Sequence, residues 1–405
     1  MLGTVRAVTS IPESAQLGSP AAASRVIGLD HLRGFVIALV VLHHSVLAYC
    51  RYAHFDRQHY LLSTAPVVDS ERWPGFDLLV LVNDSFFMPL MFLLAGLFVW
   101  PSLRRKGAAG YLRDRMLRLG LPFLVAVTTI VPLAYLPTFR IAGDESSFGA
   151  ILAGMVLSGP WPSGPAWFVG MLLIFDGFAV ALFGVSRLRD GPAIQHRLGG
   201  PAQCFGMLVA LSAAAYIPLL FAYGPARWIA FGPLAVQASR ALLYGTYFVA
   251  GAAAGQGSLR DGIVAPDGAL RQGWAKWATL AAALICVLVA VQIARLRGLG
   301  SLPQWAGLGL YGFALILFCG AACFALLGMF LRFARHRSPV WDSLGANAYG
   351  IYLLHYPVVT WMQYALLGSG LGAAVKAGLV FVIALLLSWG ATVALRRVPG
   401  VAHVV

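Results

Sequence analysis

The chain is short of charge, and most of all of negative charge. Among 405 residues only 15 are Asp or Glu, and charged residues of both signs make up 11%. A soluble domain carries about 25%, so this chain could not clothe a water-facing surface of ordinary size. That excludes an ordinary cytosolic enzyme, a disordered protein and a nucleic-acid-binding domain. Cysteine is scarce as well. Cys50, Cys204, Cys286, Cys319 and Cys323 fall mainly inside apolar runs, their number is odd and no CxxC occurs. They read as small core hydrophobes, with neither a disulfide framework nor a zinc site. No metal-ligand cluster, Gly-rich nucleotide loop or Ser-His-Asp set stands out, and no His is followed five positions later by Asp. Residues 1–27 lack the apolar stretch of a signal peptide and read as a flexible cytosolic tail.

Apolar residues are abundant, at 60%, and the mean hydropathy is +0.79. One span takes about 20 apolar residues. Runs able to cross a bilayer fall near 30–50, 77–100, 119–138, 161–186, 203–222, 238–256, 277–294, 306–330, 341–365 and 374–395. The expected fold is an all-α polytopic membrane protein of about ten transmembrane helices. Its transmembrane domain covers 28–397, and a cytosolic C-terminal tail covers 398–405. The net charge of +14 follows the loops. With the N-terminus inside, the inner segments hold 19 of the 29 Lys and Arg and the outer segments 8, Arg240 among the latter. Arg33 and Lys376 fall within helices or at their ends. This asymmetry predicts N-in, C-in. Gly is frequent (45 residues), as close packing of membrane helices requires.

In so apolar a chain, an ionisable group inside a span marks a functional candidate. The first span reads Leu29-Asp30-His31-Leu32-Arg33-Gly34 and, further on, His43-His44-Ser45. The eleven steps from Arg33 to His44 return to within ~20° of the same face, about 16 Å along the axis. His43 points about 80° away from Arg33 at 100° per residue. The second span holds Asn83-Asp84-Ser85, and a buried Asp84 needs a partner, for which a His or Arg on the first span is the natural candidate. Arg115 and Arg118, three apart, share a helix face beside Arg104, Arg105 and Lys106, and arginine forks suit phosphates. His355, two residues before Pro357, reads as an interhelical hydrogen-bonding group. Trp167 reads as an anchor at head-group depth. Asp176 is a further, more isolated intramembrane acid.

These residues resemble the membrane-embedded acyltransferase family 3, in particular its glucan biosynthesis protein C branch. The resemblance covers nearly the whole chain after residue 25. Arg33 and His44 fit the family's Arg–ten residues–His motif. Phe86-Phe87-Met88-Pro89-Leu90-Met91-Phe92-Leu93-Leu94-Ala95-Gly96 is similar to its second-span motif, with Ala95 where Ser is common. Arg115-Met116-Leu117-Arg118 resembles its Arg-x-x-Arg loop. Trp167-Phe168 and Tyr349-Gly350-Ile351-Tyr352-Leu353-Leu354-His355 resemble two later signatures. The resemblance implies transfer of an acyl group, succinyl or acetyl, from cytosolic acyl-CoA to a hydroxyl of a glycan or glycolipid beyond the bacterial inner membrane, without a metal. Catalytic roles then fall to His44, as base or transient acyl carrier, and to Asp84, which would orient it. Arg33, Arg115 and Arg118 would hold the CoA phosphates, and Trp167 and His355 would contact substrate. The partners expected are lipid, acyl-CoA and the acceptor, with room for a homo-oligomer and none for nucleic acid. A secondary transporter of an anionic solute, using the same intramembrane Arg and His, is the competing reading. The repeats and broken helices common in transporters are not visible here. The decisive expectation is that Arg33 and His44 line one shared cavity.

Overall fold

A computed structural model describes residues 26–185, 199–256, 259, 262–298 and 303–404. Most of the expected N-terminal tail, with Arg6 and Arg25, and the loop cations Arg187, Arg189, Arg197 and Arg260 lie outside the described residues. Long apolar runs have no water to satisfy their backbone in lipid, so they close their hydrogen bonds internally as helices. The chain accordingly forms α1 (Ile27–Leu47), α2 (Pro74–Gly96), α3 (Val99–Arg115), α4 (Leu121–Val125), α5 (Val131–Ala142), α6 (Phe148–Leu157), α7 (Trp167–Val185) and α8 (Pro201–Tyr223). A hairpin of β1 (Trp228–Phe231) and β2 (Leu234–Gln237) follows. Then come α9 (Ala241–Ala254), α10 (Ala269–Gln272), α11 (Trp274–Arg297), α12 (Gln304–Phe333), α13 (Pro339–Ala365) and α14 (Ala373–Leu395). Single π-helical turns, Met116–Gly120 and Ala126–Ile130, join α3, α4 and α5 into one path.

The protein is an all-α polytopic membrane protein. Among the described residues, eight helical segments are long and apolar enough to cross a bilayer. They match eight of the ten expected runs. The other two differ. The run 238–256 yields only the 14-residue α9. The run 341–365 becomes the 27-residue α13, long enough to cross but carrying Asp342, Asn347, His355 and Gln363 along its length.

Helix α12 is the centre of the bundle, with 78% of its apolar window buried, whereas α11 has 6% and forms the rim. Large apolar side chains such as Phe178, Leu211, Leu386 and Leu387 are exposed. In water such a surface would invite aggregation; in a bilayer it is the lipid contact. Two parallel pairings set the site. In the first, α13 lies along α1, with Gly345 against the Asp30 carbonyl near one end and Gln363 Nε2 donating to the His44 carbonyl (2.9 Å) near the other. In the second, α9 lies along α2, with Gly251 against the Leu93 carbonyl and Gly255 against the Leu97 carbonyl. In each pairing the contacts advance in the same direction along both helices, so these helices run the same way. Only glycine permits it, because a Cβ on Gly251 would sit 2.1 Å from the Leu93 oxygen.

The loop between α1 and α2 closes over the His44 end of the bundle. Asp69 N–H donates to the Ala48 carbonyl and Trp73 N–H to the Tyr49 carbonyl, each at 3.0 Å. Arg72 donates to the carbonyls of Arg51 and Ala53. Lys376, on α14, is 1% exposed and pairs at 2.8 Å with Asp69, itself 2% exposed.

Candidate functional site

At the Arg33 end of the bundle lies a cavity of about 480 Å³. Six cations line it, Arg33, Arg105, Lys106, Arg115, Arg118 and Arg396, against two carboxylates, Asp114 and Asp176. Each acid is already engaged. Asp114 pairs with Lys106 at 2.9 Å and with Arg118 at 3.3 Å. Asp176, 1% exposed, accepts from the Tyr111 hydroxyl and sits 3.3 Å from Arg115 Nε, an ion pair whose alignment falls short of a hydrogen bond. The Arg115 guanidinium stacks over Tyr111, 4.8 Å from the ring centroid. Arg33 lies 3.5 Å from Asp30 and over the Phe98 ring at 5.5 Å. Arg396 donates to the Ala346 carbonyl (2.6 Å) and the Asn347 side-chain oxygen (3.2 Å). Several of these cations are held by carbonyls and aromatic faces, so positive charge remains in excess. The cavity is built for an anion of several charges, and guanidinium forks match phosphate.

Arg33, Arg115 and Arg118 thus share one cavity. His44 is not among the residues that line it. Ile37, Phe168 and Tyr352 line it instead, and the expectation of one compartment shared by Arg33 and His44 is corrected on this point. Helical spacing places the two on one stripe of α1; it is silent about side chains that α7 and α13 insert between them. Tyr352 is the key part of that wall. Its hydroxyl donates to the Pro165 carbonyl, and its ring lies 5.9 Å from that of His355.

His44 and His355 meet beyond this wall. His355 Nδ1 lies 2.7 Å from the Tyr352 carbonyl, and His44 Nδ1 lies 2.9 Å from the Val40 carbonyl. A carbonyl only accepts, so both Nδ1 atoms carry hydrogen when the rings are neutral. His355 Nε2, 3.3 Å from His44 Nδ1, then accepts a second, shared bond from it. The consequence is chemical: His44 keeps a lone pair on Nε2. The ring of Tyr356 packs edge-on at 5.2 Å, and His43 stacks beside Phe87 at 5.0 Å. The pattern of bonds makes His44 a general-base candidate with a fixed ring.

Asp84 is elsewhere. Its carboxylate pairs at 2.7 Å with Arg240, which also donates to the Asp84 carbonyl at 2.7 Å. The expected partner on the first span is therefore replaced by a residue just before α9, and the acid is 36% exposed where burial was expected. Arg240 was counted with the outer loops because it flanks an apolar run; parallel packing of α9 on α2 draws it in to 4% exposure. Only its place at the edge of an apolar run hinted at this. Trp167 stands in an aromatic row, 5.3 Å from Tyr244 and 5.9 Å from Trp228.

Residues 26–393 match the family model of an acyltransferase domain. No curated protein and no solved structure matches the chain. The family match spans both the basic cavity and the histidine pair, and with it the chain belongs to acyltransferase family 3, the membrane-embedded acyltransferases.

Proposed function

We propose that the protein is an acyl-CoA-dependent O-acyltransferase of a bacterial inner membrane, with N- and C-termini in the cytosol. The donor is succinyl-CoA or acetyl-CoA, and the acceptor is a hydroxyl of an extracytoplasmic glycan such as an osmoregulated glucan. One observation carries the reading: Tyr352 lines a cavity with six cations, and its ring lies 5.9 Å from His355, which pairs with His44 so that His44 Nε2 keeps its lone pair.

The cations hold the CoA phosphates at the cytosolic face, and Arg33 reaches furthest toward His44 along α1. The acyl-pantetheine arm threads past Tyr352. An acceptor hydroxyl, entering from the opposite face, attacks the thioester carbonyl carbon. Its proton passes to His44 Nε2, the C–S bond breaks, and the proton is returned to the CoA sulfur as the thiol leaves. His355 holds the His44 ring through the Nδ1 hydrogen bond and stabilises the imidazolium while it exists. Asp84 is too firmly engaged by Arg240 to be assigned the orienting role.

The test is release of free CoA thiol by the purified protein given succinyl-CoA or acetyl-CoA with a cell-envelope glycan extract, with the product read by mass. Acceptor-dependent thiol release and an acylated glycan are expected from the wild type, and a folded His44→Ala variant should lose both. Normal turnover by that variant would remove His44 from the reaction. Anion uptake into vesicles without thiol release would favour a transporter instead.

A further inference from the structure

The chemistry assigned to His44 leaves the Asp84–Arg240 pair unused, and its construction is unusual. The guanidinium is nearly inaccessible, while more than a third of the acid's side chain is open. Tyr216, Tyr244 and Tyr311 bring their hydroxyls to Arg240 from three other helices. The result is a carboxylate held in one orientation by a buried guanidinium, with part of its side chain accessible. Around it, two buried polar atoms, Ser239 Oγ and Arg240 Nε, have no hydrogen-bond partner. Ser239 is 0% exposed. Such atoms are costly to leave unmatched, and in native proteins they call for an explanation.

The pair is also approached from outside the bundle. Tyr244 meets Arg240 with its hydroxyl and Trp167 with its ring, and Trp167 meets Trp228. Trp228, on the β hairpin, is 52% exposed. A row of aromatic faces thus runs from an exposed indole to the buried guanidinium.

One acid and one base sum to no charge, unlike the cation-rich cavity lined by Arg33. The groups presented are a carboxylate that accepts, hydroxyls that accept or donate, a guanidinium that donates, and flat apolar rings. That set suits a neutral molecule with many hydroxyls and apolar C–H faces. We propose that Asp84 and Arg240, approached along Tyr244, Trp167 and Trp228, form a subsite for a sugar ring, with ring hydroxyls donating to Asp84. Only the role of that sugar as acyl acceptor rests on the transferase reading.

The experiment uses the full chain in nanodiscs and a neutral β-glucan hexasaccharide, with binding followed by tryptophan fluorescence and acyl transfer measured in parallel. Asp84→Asn is expected to weaken saccharide binding tenfold or more, and Trp228→Ala at least fivefold, with acyl-CoA affinity unaltered in both. Exchange of the pair, Asp84→Arg with Arg240→Asp, is expected to fold and still bind poorly, because the acceptor oxygens would then be buried. Full recovery of saccharide binding in the exchanged protein would reduce the pair to a structural tie and overturn the proposal. Wild-type affinity in a folded Asp84→Asn variant would overturn it too, as would failure of the wild type to bind the hexasaccharide at millimolar concentration. Should Asp84→Asn fail to fold, Trp228→Ala and the exchanged pair decide. Saccharide binding that needs Asp84 but is accompanied by no acyl transfer would sink the transferase function and leave the subsite standing.

Discussion

A single carbonyl decides what His44 is able to do. With Val40 O taking the Nδ1 hydrogen, the ring presents its basic nitrogen away from its own helix. His355 reinforces that choice without being required for it. His44→Ala should therefore lower kcat by about 10²–10⁴-fold, the usual worth of a general base. His355→Ala should cost less, roughly tenfold, because one of the two acceptors on His44 Nδ1 remains. Thiol-release kinetics on the two variants check this; equal losses would place His355 in the chemistry itself. Arg33→Ala should raise KM for acyl-CoA with kcat largely kept, and an unchanged donor KM would remove Arg33 from phosphate binding. The pair Arg33 and His44 was legible from spacing alone, since eleven residues bring an α-helix back to nearly the same face. The ring that holds His44 was not, because His355 is 311 residues away and only tertiary packing brings it near.

At the level of elements, the irregular path from α3 to α5 carries Arg115 and Arg118. Its π turns displace carbonyls from the regular ladder, and Trp161 Nε1 donates to one of them, Val127 O, at 3.0 Å. Such turns cluster at functional sites. Arg115 ties this path to α7 through Asp176. Arg115→Met leaves that deeply buried acid without its counter-ion and should cost about 3–5 kcal/mol, much of it recovered when Asp176→Leu is added. Thermal unfolding of the two variants in detergent is the measurement, and an equal loss in both would contradict it. The α9–α2 contact is equally exacting. Gly251→Ala meets backbone, which has little room to yield, and should cost about 1–3 kcal/mol. Gly245→Ala is the control, since its Cβ would meet Phe175 at an ordinary 3.6 Å. If the control is as damaging, close backbone contact is not what holds α9.

Over the whole molecule, two differently charged regions stand along α1: a cation-rich cavity that includes Arg33, and a neutral, hydroxyl-lined pair beside Asn83, whose amide donates to the Leu39 carbonyl. This polarity fits a reaction whose donor and acceptor arrive from opposite sides. It makes orientation testable. Arg57→Cys should react with a membrane-impermeant thiol reagent from outside intact cells. Arg337→Cys should react only after the membrane is opened, each compared with the unsubstituted parent. The reverse pattern would invert the N-in, C-in assignment and, with it, the cytosolic position of the basic cavity.

Composition by itself settled the solvent. A chain with 11% charged residues folds in lipid, and apolar runs of about 20 residues there close their backbone hydrogen bonds as helices. Local order also placed Arg33 and His44 on one stripe and put Arg115 beside Arg118. Tertiary structure alone decided the partners. It gave Asp84 to Arg240, Asp176 to Arg115, Lys376 to Asp69 and His355 to His44. It also set Tyr352 between the cavity and the histidines. The division has a physical cause. Periodicity is a property of one helix and can be read along it, whereas a buried polar group takes whichever partner the packing of other helices brings within about 3 Å, and nothing local in the sequence encodes that distance.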